Sequence, residues 1–164
     1  MRILGIDPGI ATVGYSIVDC RGNHFKAIDY GVITTPANMI FPERLKQVYD
    51  EIIDIIERYE PEDLAIEELF FNKNVKTAIM VAQARGVEVL ASTNMGLGIY
   101  EYTPLQIKQA VTGYGRADKN QVQQMVKMLL NLDKIPKPDD AADALAVAIC
   151  HGSSLNFKES FLMK

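Results

Sequence analysis

Residues 3–9 read Ile-Leu-Gly-Ile-Asp-Pro-Gly (ILGIDPG), and the fold class follows from this stretch. Ile3, Leu4 and Ile6 place apolar side chains on both faces of an extended segment, the pattern of a strand buried on both sides. Asp7 closes the strand, and Pro8-Gly9 is turn chemistry. Residues 13–19 (VGYSIVD) and 25–34 (FKAIDYGVIT) read as two more strands, with Arg21-Gly22-Asn23 between them. Connections this short favour an antiparallel meander.

Farther along, Leu45, Val48, Tyr49, Ile52, Ile55, Ile56 and Tyr59 recur every three or four residues, so 42–59 reads as an amphipathic helix stopped by Glu60-Pro61. Leu64-Ala65-Ile66-Glu67 is a short strand, and the helix before it is long enough for a crossover that lays it parallel to the first. A helix over 75–92, interrupted by Gly86, precedes a strand over 98–102. Gly86 would let a neighbour pack closely. Thr103-Pro104-Leu105-Gln106 and Asp118 with Gln121 carry helix-start signals, the second helix running to Leu130. The linker 133–138, with Pro136 and Pro138, hands over to a last helix at about 140–152. The expectation is an α/β domain over 1–152, a mixed sheet covered by helices, followed by a patternless tail over 153–164 that is free to move.

A chain of 164 residues with 48% hydrophobic content can bury one continuous core. No apolar run approaches the roughly 20 residues of a membrane span, and no signal peptide precedes Asp7, so a cytoplasmic protein is expected. Cys20 and Cys150 lie in apolar segments and read as core-filling thiols. The net charge of −4 does not by itself suggest a nucleic-acid partner. Phosphate contact needs only a local patch, however, and Lys73, Lys76, Arg85, Lys108, Arg116 and Lys119 are available for one.

The acids carry the chemistry. Asp7 and Glu67 each end an apolar strand, and parallel pairing of those strands would bring them together; alone, each also fits a turn or a solvated strand end. Asp140 and Asp143 are three apart at the start of an almost wholly apolar helix, AADALAVAI, which puts both carboxylates on one face. Helix capping suits Asp139 and Asp140, but Asp143 among alanines needs a partner, a metal or a raised pKa. Four acids at the ends of apolar elements repel one another, and a divalent cation is the simplest compensation. All-oxygen donors suit Mg²⁺ or Mn²⁺ and disfavour zinc. Two such ions about 4 Å apart support in-line phosphodiester hydrolysis, with Lys119 as a nearby phosphate-neutralising or water-positioning charge.

The stretches ILGIDPG at 3–9, AIEELFFNKN at 65–74, QARGV at 83–87, GRADKNQVQQMV at 115–126 and PDDAADALAVAI at 138–149 together resemble the RuvC family of bacterial crossover junction endodeoxyribonucleases across nearly the whole chain. The resemblance implies an RNase H-like fold, a homodimer and paired symmetric nicks of like polarity in four-way Holliday junction DNA during recombination and repair. It implies cooperation with the RuvA and RuvB branch-migration proteins. The family's catalytic acids fall on Asp7, Glu67, Asp140 and Asp143, and its active-site basic residues on Lys108 and Lys119. Its aromatic near the junction centre falls on Phe70, with Phe71 beside it; an aromatic there can stack on an unpaired base, although both also suit a core or a dimer interface. Asp139 competes with Asp140 as the metal contact, and the family register favours Asp140.

Three other readings share part of this pattern. A YqgF-like RNase H-fold nuclease shares the opening strand, but the ADALA helix and LFFNKN segment point away from it. An actin-like ATPase would need two domains and a second phosphate loop. A catalytically silent junction-binding dimer would keep a costly acidic cluster without metal.

Overall fold

The computed structural model describes residues 1–69 and 75–164. Strands β1 (Arg2–Asp7), β2 (Thr12–Arg21) and β3 (His24–Thr34) form an antiparallel meander, as their short turns require. Helix α1 (Phe41–Tyr59) crosses over so that β4 (Asp63–Glu67) pairs parallel with β1. Helix α2 (Val75–Asn94) precedes β5 (Gly98–Tyr102), which pairs parallel with β4. The sheet order is β3-β2-β1-β4-β5. With α3 (Pro104–Thr112), α4 (Lys119–Leu129) and α5 (Asp139–Ser153), this is the expected RNase H-like architecture, a mixed five-stranded sheet flanked by helices.

Alternation along the strands divides the core. Leu4, Ile6, Ile17, Leu64 and Ile66 pack on one face against α1 and α2, through residues such as Val48, Ile52 and Ala91. Ile3, Val18 and Ala65 pack on the other face against α3, α4 and α5, through Ile107, Val126 and Leu145. Asp7 follows Ile3 and Gly5 in the alternation, and Glu67 follows Ala65, so both acids belong to the α5 face.

α5 runs against the direction of β1, pressed onto small residues. A Cβ added at Gly5 would lie 2.3 Å from the Ala144 carbonyl oxygen, and one at Gly14 would lie 2.1 Å from that of Asp140. The Ser16 hydroxyl donates to the same Ala144 carbonyl at 2.9 Å. The far end of α5 is locked by a buried polar chain. His151 shares hydrogen bonds with the Tyr102 hydroxyl at 2.7 Å and with Asp63 at 3.0 Å.

Both expected helix starts form as reciprocal capping boxes, Thr103 with Gln106 and Asp118 with Gln121. Cys20 and Cys150 are buried and unpaired. The C-terminal segment differs from expectation. Residues Leu155–Phe161 form a 3₁₀ helix, and Leu162 bridges Tyr100 at the edge of β5. Lys158 donates to Asp63 at 2.8 Å, and Phe161 stacks on Tyr102. An edge strand with free amides and a buried carboxylate, Asp63, offers anchors that short-range periodicity cannot reveal. Among the described residues, no helix is long and apolar enough to cross a membrane.

Candidate active site

The last paired residues of β1 and β4 are Ile6 and Ile66, so Asp7 and Glu67 emerge side by side at the same end of the sheet. Gly14 stands opposite Asp7 in the β1–β2 ladder, and its bare Cα lets the first turn of α5 settle there. Asp140 and Asp143 thereby reach the two strand acids. The crowding raises the proton affinities of Asp7, Glu67 and Asp143. The Asp7 carboxyl is pushed up to about 8 by burial, then by the charges of Asp143, Glu67 and Asp140, with Lys119 opposing. Glu67 rises to about 7 through burial and Asp143, opposed by Lys108 and Lys119. Burial also raises Asp143 although Lys119 hydrogen-bonds to it. These acids resist being ionised together at neutral pH without a compensating cation.

Beside them opens a cleft of about 280 Å³ lined by the acids Glu67 and Asp143, the bases Lys108 and Lys119, and apolar Ile107 and Val122. Lys119 is 3.1 Å from Asp143 and 3.4 Å from Asp139. Asp139 also accepts from Lys137 at 2.8 Å, and that bond, with the charge of Lys119, holds its carboxyl down at about 2. Of the two neighbouring aspartates, then, Asp139 is committed to lysines at the surface, and Asp140 is the one whose charge acts on Asp7. No group of three or more acid, histidine or cysteine side chains among the described residues is gathered tightly enough to hold a metal as it stands. The donor chemistry nevertheless fits a hard divalent cation: all carboxylate oxygens, clustered and electrostatically overloaded.

The model of the crossover junction endodeoxyribonuclease RuvC family matches residues 3–151. The chain belongs to the RuvC family. A RuvC from Alkaliphilus oremlandii is 63% identical over 164 residues, covering 100% of both chains. The solved Thermus thermophilus RuvC superposes with a TM-score of 0.88 at 33% identity, covering 95% of this chain and 96% of that one. Thermus thermophilus RuvC in complex with Holliday junction substrate gives a TM-score of 0.88 at 31% identity, with the same coverage.

Within this family member, the fold brings together Asp7, Glu67, Asp140, Asp143, Lys108 and Lys119. Lys76 lies exposed in the first turn of α2, and Arg116 lies exposed between α3 and α4. Arg85, expected to face DNA, is instead largely buried. It donates to the Glu67 carbonyl at 3.1 Å and to Glu101 at 2.8 Å, tying the ends of β4 and β5 together. Phe70, Phe71 and Lys73 lie outside the described residues.

One residue near the site escaped the sequence reading. Glu88, in the middle of α2, is 0% exposed. One of its oxygens accepts from the Gly9 amide at 3.5 Å, while the other has no partner among the described residues. Burial pushes its carboxyl up to about 8, and Asp7 adds to the rise. The signal was present in the sequence, because Ala84, Glu88 and Ala91 share one helical face, an acid among alanines like Asp143.

Proposed function

We propose that this chain resolves four-way DNA junctions by paired, metal-dependent nicks of like polarity, in recombination and repair. The observation that carries the reading is the convergence of Asp7, Glu67 and Asp143 beside a cleft that Lys108 and Lys119 also line. Asp7, Glu67, Asp140 and Asp143 would hold Mg²⁺, two ions when DNA is bound, with Mn²⁺ able to substitute. When bound, such ions activate water and neutralise the leaving oxygen in phosphodiester hydrolysis.

The protein's own groups do the rest. Lys108 and Lys119 offer positive charge to the scissile phosphate from the cleft wall. Asp139 holds Lys119 from outside, so the ammonium stays close to the cleft when Asp143 turns to other partners. Arg85 fixes the end of β4 by its backbone, which restricts where Glu67 points. Lys73, Lys76 and Arg116 contact phosphates away from the cut, and Phe70, with Phe71, stacks on bases at the branch point.

Paired nicks need two sites, which a two-fold homodimer supplies. Helix α2 suits that interface: Ile79 and Leu90 are exposed apolar residues. They flank Gly86, where an added Cβ would meet nothing within 4 Å among the described residues. Family resemblance adds RuvA and RuvB as partners, and work on chromosomal DNA puts the enzyme in the cytoplasm.

The test is cleavage of a synthetic mobile four-way junction, with linear duplex as control, by wild type and Asp7→Asn in Mg²⁺ or chelator. Symmetric nicks in Mg²⁺ alone, lost in Asp7→Asn while junction binding persists, are the expected result. Binding without cleavage across a range of junction sequences would overturn the reading in favour of a silent junction binder.

A further inference from the structure

Glu88 sits where an apolar side chain would serve stability better. It is fully buried in α2, its second oxygen lacks a partner among the described residues, and the charges that act on it are the like-signed Asp7 and, opposing it, Arg85. A buried acid with an orphaned oxygen destabilises a fold unless something requires it. What Glu88 does have is a hydrogen bond to a distant part of the chain, accepted from the Gly9 amide, two residues beyond Asp7.

The turn that Gly9 begins is held by its surroundings. A Cβ on Gly9 would lie 1.9 Å from the Thr12 carbonyl oxygen, so the turn is closed on itself with no room for a side chain. The Ala11 carbonyl accepts from the Thr35 amide at 3.1 Å. The Thr35 hydroxyl donates to the Ile10 carbonyl and accepts from Arg44, a buried residue of α1. Residues 10 and 11 are therefore fastened from α1 and β3, whereas Gly9, nearest to Asp7, is fastened from α2 by Glu88. Asp7 is the last residue of its strand, so the placement of its carboxylate depends on how the chain leaves it.

We infer that Glu88 is a positioning residue: by accepting the Gly9 amide it fixes the exit of β1 and thereby the placement of the Asp7 carboxylate for divalent-ion binding. This inference rests on the reading of Asp7 as a metal ligand. It deepens that reading by adding to the site a buried acid from a helix outside the acidic cluster. The carbonyl-type acceptor is the part that matters, so Glu88→Gln keeps the function and Glu88→Met removes it while filling the same space.

The experiment compares wild type, Glu88→Gln, Glu88→Met and Asp7→Asn. It reads thermal unfolding without metal, junction affinity in chelator, Mn²⁺ binding by electron paramagnetic resonance, and single-turnover cleavage against Mg²⁺ concentration. Glu88→Met is expected to melt at or above wild type and to bind junction equally. Its cleavage rate and Mn²⁺ affinity should fall about tenfold, the scale of losing a partner that orients a metal ligand, with the Mg²⁺ midpoint moved upward. Glu88→Gln is expected to behave as wild type. Glu88→Met with wild-type Mg²⁺ response, or with all properties lost in step with folding, would overturn the inference, as would a Glu88→Gln variant as impaired as Glu88→Met. Cleavage surviving in Asp7→Asn would instead remove the metal-site reading beneath it, an outcome distinct from Glu88 failing alone.

Discussion

Gly14 and Asp140 meet backbone to backbone, with the space for a Gly14 Cβ only 2.1 Å from the Asp140 carbonyl oxygen. Since Gly14 also pairs with Asp7, this contact sets the distance between the strand acid and the helix acids. A methyl group cannot be accommodated without moving α5. Gly14→Ala is expected to destabilise the fold by about 1–3 kcal/mol, as overpacking does. Junction cleavage should fall further than the lost stability explains, because the acids are pried apart. Chemical denaturation and cleavage assays on the same preparation check both.

Without divalent ions the protein should lose stability as the pH rises from about 4 to 8. Over that window the folded chain keeps protons on Asp7 and Glu67, raised to about 8 and about 7, that the unfolded chain releases near 3.8 and 4.5. The folded state therefore binds more protons, and stability declines until the pH passes the folded values. Glu88 acts in the same direction. Melting curves in chelator should move to lower temperature between pH 5 and pH 8, and millimolar Mg²⁺ at pH 8 should reverse much of the shift. A melting temperature that rises with pH in chelator would contradict the crowded-acid picture.

Asp7→Asn removes one charge from this cluster. In chelator at pH 8 the variant is expected to melt several degrees above wild type, since about 1 kcal/mol moves the midpoint by roughly 2–4 °C for a chain of this size. Its stabilisation by added Mg²⁺ should be smaller than that of wild type. Differential scanning calorimetry with and without Mg²⁺ gives both quantities.

Gly86→Glu should separate assembly from folding. The position is open among the described residues, so a charged side chain there leaves the monomer fold intact while placing like charges across a two-fold contact. The expected outcome is a monomer by sedimentation velocity, with a wild-type circular dichroism spectrum and loss of paired nicking. A dimer unaffected by Gly86→Glu or Leu90→Glu would move the interface away from α2.

Truncation after Ser154 should be destabilising rather than silent. It removes Lys158 from Asp63 and Phe161 from Tyr102, exposing the polar chain through His151. His151→Ala should do more, about 3 kcal/mol or above, because it leaves the Tyr102 hydroxyl and Asp63 without their buried partner. Urea denaturation distinguishes the two effects. In the truncated protein, faster hydrogen exchange should be confined to β5 and the C-terminal half of α5.

Much of this molecule was legible from local pattern. Period-two and helical periodicities marked the strands and helices, turn residues marked the meander, and capping residues marked the starts of α3 and α4, because each of these signals acts over a few residues. The acidic set could be read too: Asp7, Glu67 and Asp143 are charges inside apolar runs, a local anomaly that needs no tertiary information to notice. Asp139 and Asp140, by contrast, are adjacent and chemically identical. Only the packing distinguishes them, one turned to Lys119 and Lys137 and the other carried over Gly14 toward Asp7.

The tertiary structure alone decided how distant groups are paired. Arg85 counted as one more basic residue until β4 and β5 came within reach of its guanidinium. The C-terminal segment had no periodicity because its order comes from the β5 edge, Asp63 and Tyr102 rather than from its own sequence. Glu88 and Gly9 lie 79 residues apart. The sequence by itself determined the elements and the acids they carry, since hydrophobic periodicity and turn chemistry are short-range. Which carboxylates face one another, and what holds them there, was decided by three-dimensional packing, because burial and charge coupling depend on neighbours in space rather than along the chain.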